Sequence, residues 1–387
     1  MSLDDFDDII HRCFRCGFCK FPEDYSFLNC PSYQKYRLET YSPGGRLWLI
    51  RAAKQREIDW TGHLSEILFS CSACNNCVEH CVMDFSDHIS DIMVAAKEHL
   101  VECSIVPPNV RDFLENITKY GNPWGEPRGK RGRWLDGTNI RQYELGNEFL
   151  LYVGCLGSYD TRCQKVARSL GEIFLEGGLC FGVFGNDENC DGNEVKMLGE
   201  SGLFQLLAKE NIQKFEEFKV KKIVTLSPHS YNAIKKYYPD LGVKYNVFHY
   251  TELLLDLIKK GKLKFSNPID AKVTYHDPCF LGRLNNIYDA PRKVLKSIPS
   301  LELVEMKRNR ENSICCGGGA GNFYTDFLGG DDGPSRVRIR EAYDFGCEIL
   351  AVSCPGCMTM LEDALKACGL EDKMVIKDIS EIVKEAI

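Results

Sequence analysis

From residue 149 onward, short apolar runs alternate with amphipathic stretches. FLLYVG (149–154), KKIVTL (221–226), AKVTYH (271–276) and EILAVS (348–353) have strand length, and helical patterns such as TELLLDLIKK from Thr251 lie between them. Strands alternating with helices predict parallel βα units. The earlier chain has a different rhythm. ISDIMVAAKEHLVE from Ile89 has the period of an amphipathic helix, and Pro107-Pro108 ends it. RDFLENITKYG from Arg111 predicts a shorter helix closed by Gly121. Asn122 to Gly146 is rich in Gly, Pro and charge and reads as a linker. The expected organisation is a helical domain over 1–121, a linker over 122–146, and α/β units over 147–264 and 265–387.

The two α/β units repeat one another. Cys155 follows the strand FLLYVG, as Cys279 follows AKVTYH. NCDG (189–192) answers CCGG (315–318), and SPHS (227–230) answers CPGC (354–357). NVFHYTELLLDLI resembles the C-terminal MVIKDISEIVKEAI. Two copies of one supersecondary unit are the economical reading.

Composition narrows the function classes. A content of 44% hydrophobic and 27% charged residues describes an ordinary soluble globular chain. The net charge of -7 argues against a general nucleic-acid binder. The basic stretch RGKRGR (128–133) is short and reads as solvated linker rather than a docking patch. No apolar run approaches the roughly 18 residues that span a bilayer. The start, MSLDDFDDII, has acid where a signal peptide needs positive charge. The expected location is cytoplasmic, with any membrane association made through a partner.

The outlier is 20 cysteines. In a reducing compartment, clustered cysteines mean metal or redox chemistry rather than a disulfide framework. Cys13, Cys16 and Cys19 form a CxxCxxC run, followed by Cys30-Pro31; Cys71, Cys74, Cys77 and Cys81 form CxxCxxCxxxC. In two-cluster ferredoxins, three closely spaced cysteines wrap one cubane and the fourth crosses to the other. On that pattern one cubane takes Cys13, Cys16, Cys19 and Cys81, and the other takes Cys71, Cys74, Cys77 and Cys30. Gly17 fits the tight turn that such wrapping needs. Two zinc knuckles are the alternative, but no histidine enters the pattern. His80 and His88 flank the second run and read as packing residues. An insertion separates Cys19 from Cys30, and Cys81 is followed by Val82 where proline is usual.

The second α/β unit carries Cys279, Cys315, Cys316, Cys354 and Cys357 in HDPC, ICCGGGAG and SCPGC. A zinc ion or a cubane wants four ligands, so five thiolates favour an unusual cluster over one extra buried cysteine. Gly317 to Gly321 let the backbone approach it closely.

These motifs resemble the cysteine-rich CCG-domain iron–sulfur family. Its members include the D-type subunits of heterodisulfide reductase and the iron–sulfur subunits of glycolate oxidase and anaerobic glycerol-3-phosphate dehydrogenase. YSPGGRLWLI and YHDPCFLGRLNNIYDAPRKVL carry the resemblance further. It implies a helical ferredoxin domain followed by two tandem α/β domains with small parallel sheets. It also implies that Cys279, Cys315, Cys316, Cys354 and Cys357 hold a non-cubane [4Fe–4S] cluster. They would be catalytic only if that cluster is a reaction centre.

The first α/β unit departs from the pattern. It keeps Cys155 and Cys190, but Asp191, Ser227 and Ser230 stand where cysteines are expected. The main reading is a retained fold with a lost cluster. The alternative is a small metal site of Cys155, Cys190, Asp191 and His229. One special cluster cannot use the two-cluster disulfide cleavage implied for heterodisulfide reductases. Cys103, Cys163, Cys180, Cys347 and Cys368 fit no motif and read as small apolar core residues. His276 and His249 end corresponding strands, and either could hydrogen-bond a cluster sulfur.

The expected function is an electron-transfer subunit of a larger oxidoreductase, with two cubanes leading to or from the C-terminal cluster. The expected partners are a flavoprotein, a membrane cytochrome-type subunit, or both. The second reading is a disulfide, thiol or persulfide reductase acting at the C-terminal cluster.

Overall fold

The protein is described here from a computed structural model covering residues 2–387. Its N-terminal part is helical, and two α/β units follow. The first unit contains β1 (Phe149–Tyr152), β2 (Phe181–Gly182), β3 (Lys222–Thr225) and β4 (Asn246–His249). The second contains β5 (Ala271–Tyr275), β6 (Leu301–Val304), β7 (Ile349–Val352) and β8 (Val375–Asp378). The sheets run β2-β1-β3-β4 and β6-β5-β7-β8, with every neighbouring pair parallel. The fold is the expected one, and the identical strand order makes the repeat physical. β1 and β7 are buried along their whole length, as apolar strands covered on both faces must be.

This topology places the chemistry. In each unit the chain crosses back over its first strand, so the loops after the first and third strands meet at the carboxyl edge. That switch point is where open α/β sheets hold ligands. The loops after β1 and β3 carry Cys155 and Ser227; those after β5 and β7 carry Cys279 and Cys354.

Helix boundaries follow local chemistry. The helix expected from Arg111 runs Pro108–Tyr120, because proline is tolerated in a first helical turn, and Gly121 closes it at φ 71°. Residues 122–146 do not behave as a solvated tether. Trp134, Ile140 and Tyr143 are buried, and Gln142 bridges Val183 beside β2. Within the basic stretch, Arg131 is fully buried and ion-paired with Glu188 at 2.9 Å, which corrects the solvated reading there. Of the five cysteines expected in the core, Cys163 and Cys347 are buried, Cys368 is half-buried, and Cys103 and Cys180 are exposed.

The two units share a core. Arg162 pairs with Glu362 and Glu381, each at 2.6 Å, and Tyr250 donates to Asp378 Oδ1 at 2.8 Å. Asp378 also caps the last helix through Ser380, while its Oδ2 has no partner. Burial pushes this carboxyl up to about 7. An ordinary aspartate in the unfolded chain ionises near about 4. Between those values the folded chain holds a proton that the unfolded chain has lost, so stability falls as pH rises from about 4 to about 7 and is level above. Asp378→Asn keeps the cap and removes that loss. Anaerobic melts should show the variant gaining on the wild type at pH 8 by on the order of a few kcal/mol and not at pH 4. Parallel melting curves at both pH values would refute the assignment.

Candidate metal centres

Cys13, Cys16, Cys19 and Cys81 line one cavity in the helical part. Cys30, Cys71, Cys74 and Cys77 line a second, and Pro43 lies in the wall of both. The cysteine loops curl by left-handed residues: Arg15 and Gly17 in the first run, Ala73 and Asn75 in the second. Such conformations cost energy in non-glycine residues and are kept where a site requires them. The insertion after Cys19 closes on itself. Lys20 O accepts from both Asn29 N at 2.7 Å and Cys30 N at 3.1 Å, which returns Cys30 to the core. Cys30 then caps the helix Pro31–Tyr36 with proline in its first turn.

The YSPGGR segment is the shared wall. Ser42 accepts from Gly45 N at 3.0 Å and starts the helix Pro43–Lys54. A β-carbon on Gly45 would lie 1.8 Å from Glu39 O, so only glycine fits. A β-carbon on Gly44 would lie 3.5 Å from Cys13 Sγ, so the backbone itself approaches the first site.

Around the second cavity stand three cations that sequence reasoning missed. Arg46 is buried and donates to Ile67 O, Ser32 Oγ, Tyr41 O and Ser70 Oγ at 2.7–2.9 Å. Lys97 is buried, donates to Cys71 O at 2.9 Å, and is pushed down to about 8 by burial. Arg283 donates to Cys74 O at 2.8 Å and to Ser313 O at 2.5 Å. Burial opposes its charge, but the sulfurs of Cys74, Cys279 and Cys315 more than offset that. Among the described residues, none of the three has a carboxylate partner within salt-bridge distance. Buried charge is otherwise paired. Three unpaired cations around a ring of thiols fit an anionic metal–thiolate group in that cavity, and they do not fit an empty apolar one. Burial also pushes the Cys30 and Cys77 thiols up, so losing their protons there calls for a bound cation such as iron.

The third site lies beyond β5 and β7. All five of its cysteines are buried. Cys279 and Cys315 sulfurs are 3.6 Å apart, and Cys316 and Cys357 sulfurs 3.4 Å. Gly317 N donates to Cys315 Sγ at 3.3 Å. Hydrogen bonds from Cys315 and Cys357 pull the Cys316 thiol down. Cys354 caps the helix Pro355–Ala367. His276 is fully buried, and its ring joins the Cys316 and Cys357 sulfurs in a group whose ligand atoms all lie within 4.8 Å. Arg338 Nε donates to His276 Nδ1 at 3.2 Å, so the ring proton sits on Nε2. That Nε2 has no partner, which suits a donor to sulfur. His249, its counterpart, bonds Thr251 Oγ1 at 2.8 Å through Nδ1, and its Nε2 is likewise without a partner.

The second and third sites touch. Ser72 Oγ lies 3.9 Å from Cys315 Sγ, and the neighbouring Cys315 thiol, with burial, pushes the Cys74 thiol up. Arg283 reaches both.

In the first α/β unit, Cys155, Cys190, Asp191 and His229 line one cavity. Asp191 is held by Ser230 Oγ at 2.7 Å and Asn193 N at 2.8 Å, and His229 Nδ1 is bonded to Glu194. The carboxylate and imidazole are spent on other partners.

Comparison with known proteins agrees with this architecture. The sequence matches the cysteine-rich domain over residues 149–235 and 273–362, and the 4Fe-4S dicluster domain over 9–85. The chain belongs to the cysteine-rich-domain iron–sulfur family. It is 36% identical, over 83% of its length, to a probable iron-sulfur-binding oxidoreductase FadF of Bacillus subtilis. It is 36% identical, over 84% of its length, to an EtfAB:quinone oxidoreductase of Syntrophomonas wolfei. The chain spans about half the length of these two relatives, 47% of each. It is 28% identical to the D-type subunit of the dihydromethanophenazine:CoB–CoM heterodisulfide reductase of Methanosarcina barkeri, over 98% of this chain and 94% of that one. A crystal structure of a hypothetical protein from Helicobacter pylori shares the fold at a TM-score of 0.53 and 11% identity, covering 99% of this chain and 75% of that one. Among the described residues no helix is long and apolar enough to cross a membrane.

Proposed function

We propose that the chain wires electrons within a larger oxidoreductase, through two cubane [4Fe–4S] sites and a C-terminal non-cubane [4Fe–4S] site. The observation that carries this reading is contiguity: the two N-terminal cavities share Pro43, and the second meets the third through Ser72, 3.9 Å from Cys315 Sγ, and through Arg283, which donates to Cys74 O and Ser313 O. Bound clusters would supply the one-electron chemistry. The residues bury the sites, balance their charge and fix their spacing. Cys13, Cys16, Cys19 and Cys81 hold the first site, with Cys16, Phe14 and Val82 exposed beside it for a partner. Cys30, Cys71, Cys74 and Cys77 hold the second. Cys279, Cys315, Cys316, Cys354 and Cys357 hold the third. The Syntrophomonas relative's name joins EtfAB to a quinone, which favours a redox protein on one side and a membrane-side acceptor, such as a cytochrome-type subunit, on the other.

In the test, the anaerobic full chain is reduced by a protein donor while the three sites are followed by electron paramagnetic resonance. Cys13→Ser should block reduction of the C-terminal site by that donor and leave reduction by dithionite intact. Unchanged donor reduction in Cys13→Ser would sink the relay. His276 gives a second expectation. His276→Ala should lower the potential of the C-terminal site without loss of iron, because a hydrogen bond to sulfur raises a cluster's potential. An unchanged potential would remove that role.

A second reading, catalysis on a disulfide or thiol at the C-terminal site, is favoured by one observation. Five buried sulfurs exceed the four that a cubane needs. A thiol-induced change confined to the C-terminal resonance signal would support it.

A further inference from the structure

The first α/β unit keeps half of a constellation that the second unit has whole. In the second unit, Cys279 meets Cys315 and Cys316 meets Cys357, at 3.6 and 3.4 Å. In the first unit the second contact is rewritten as a hydrogen bond from Ser230 Oγ to Asp191 Oδ2 at 2.7 Å. The first pair survives: Cys155 and Cys190 stand at the positions of Cys279 and Cys315 and line one cavity. The substitution is therefore systematic. It removes three of the five thiols and leaves two, Cys155 and Cys190, in one cavity.

Their surroundings are those of a reactive pair. Cys155 is partly exposed, and Cys190 is buried behind it. Arg131 Nη1 stands 3.6 Å from Cys155 Sγ and is itself held by Glu188. The Cys190 thiol and the Arg131 guanidinium, against burial, pull the Cys155 thiol down. A stabilised thiolate with a second thiol at its back is the arrangement that exchanges with disulfides.

The cavity also adjoins the C-terminal site. His229 occupies the sequence position that Gly356 has in the second unit, and it lines the cavity with both cysteines. Its ring stacks on Phe280, the residue after Cys279, at 4.2 Å between ring centroids. His229 Nε2 lies 4.0 Å from the place a β-carbon on Gly356 would take.

We propose that Cys155 and Cys190 are a redox-active pair that cycles between dithiol and disulfide, oxidised by a low-molecular-weight disulfide and reduced through the adjoining C-terminal site. The proposal rests on the wiring reading for its reductant alone. Cys155 sulfur attacks one sulfur of the substrate disulfide; that bond breaks, a mixed disulfide forms, and one thiolate leaves. Cys190 then attacks Cys155 sulfur, forming the Cys155–Cys190 disulfide and releasing the second thiolate. Two electrons, delivered one at a time by reduced iron–sulfur sites, and two protons from water restore the dithiol. The sum converts one disulfide, two electrons and two protons into two thiols.

The experiment uses the anaerobic full chain, poised over a range of potentials, alkylated with iodoacetamide and mapped by mass spectrometry. Cys155 and Cys190 should pass together from disulfide to two labelled thiols in one two-electron step. Reduced Cys190→Ser treated with 2-hydroxyethyl disulfide should carry an adduct on Cys155, and Cys155→Ser should carry none on Cys190. Independent labelling of both cysteines at every potential overturns the proposal. So does a Cys190→Ser chain that forms no adduct while its iron is complete. A Cys357→Ser chain separates the two readings. Dithiothreitol should still reduce its pair, while a protein donor should not. If the donor does reduce the pair there, the C-terminal route fails and the pair stands; if dithiothreitol resolves no disulfide in either chain, the pair fails and the wiring stands.

Discussion

Arg46→Met should cost about 3–5 kcal/mol and release the iron of the second N-terminal site, because it leaves buried charge without its counter-charge. Arg46 is 1% exposed and spends its guanidinium on Ser32, Tyr41, Ile67 and Ser70 with no carboxylate among them. Its positive charge also pulls the Cys30 thiol down against burial. Methionine has similar bulk, so the cavity term is small and the loss falls on polar satisfaction and on the anionic site. Arg46→Lys keeps the charge but cannot reach four acceptors in a plane, and it should fall between. Iron per chain and anaerobic melting together check this. A variant with full iron and wild-type melting would show that Arg46 is not the counter-charge.

Gly319→Val should uncouple the second site from the third. A β-carbon there would sit 2.4 Å from Ser72 O and 3.1 Å from Phe280. Ser72 lies inside the second cysteine run, and Phe280 follows Cys279. Relief requires the run and the glycine loop to move apart, at about 1–3 kcal/mol for overpacking. All three sites keep their ligands, so iron content should hold. The contact between Ser72 and Cys315 opens, so reduction of the C-terminal site should lag behind that of the second site in rapid-freeze resonance measurements. Simultaneous reduction would show that electrons do not cross at this contact.

Much of the fold was legible in the sequence because its signals are local. The four apolar runs became β1, β3, β5 and β7, the central strands, whose burial on both faces leaves an unbroken apolar pattern. β2, β4, β6 and β8 escaped because edge strands of two to four residues carry little periodicity. NVFH and VIKD were visible only as halves of a repeated segment. Residues 122–146 misled for a related reason: glycine and proline mark turns, and turns can lie within a packed core as well as in a tether. Trp134 and Ile140 show which case holds.

The cysteine spacing grouped residues that the structure places around common cavities, because a short run must curl on itself. The counter-charges were not legible. Arg46 and Lys97 sit in helices where an exposed cation is the ordinary expectation, and only burial reveals them. Arg46 in YSPGGR and Arg283 in CFLGR lie inside segments already singled out, and that position was the available signal. The pairings His229–Glu194 and Arg131–Glu188 join residues far apart in sequence, so no local pattern could show them.

The most direct measurement is the iron and acid-labile sulfide content of the anaerobically purified full chain, beside that of Cys316→Ser. The account predicts about twelve irons with equal sulfide, and about eight in the variant with both N-terminal signals intact. Zinc in place of iron, or about eight irons in both chains, would contradict it.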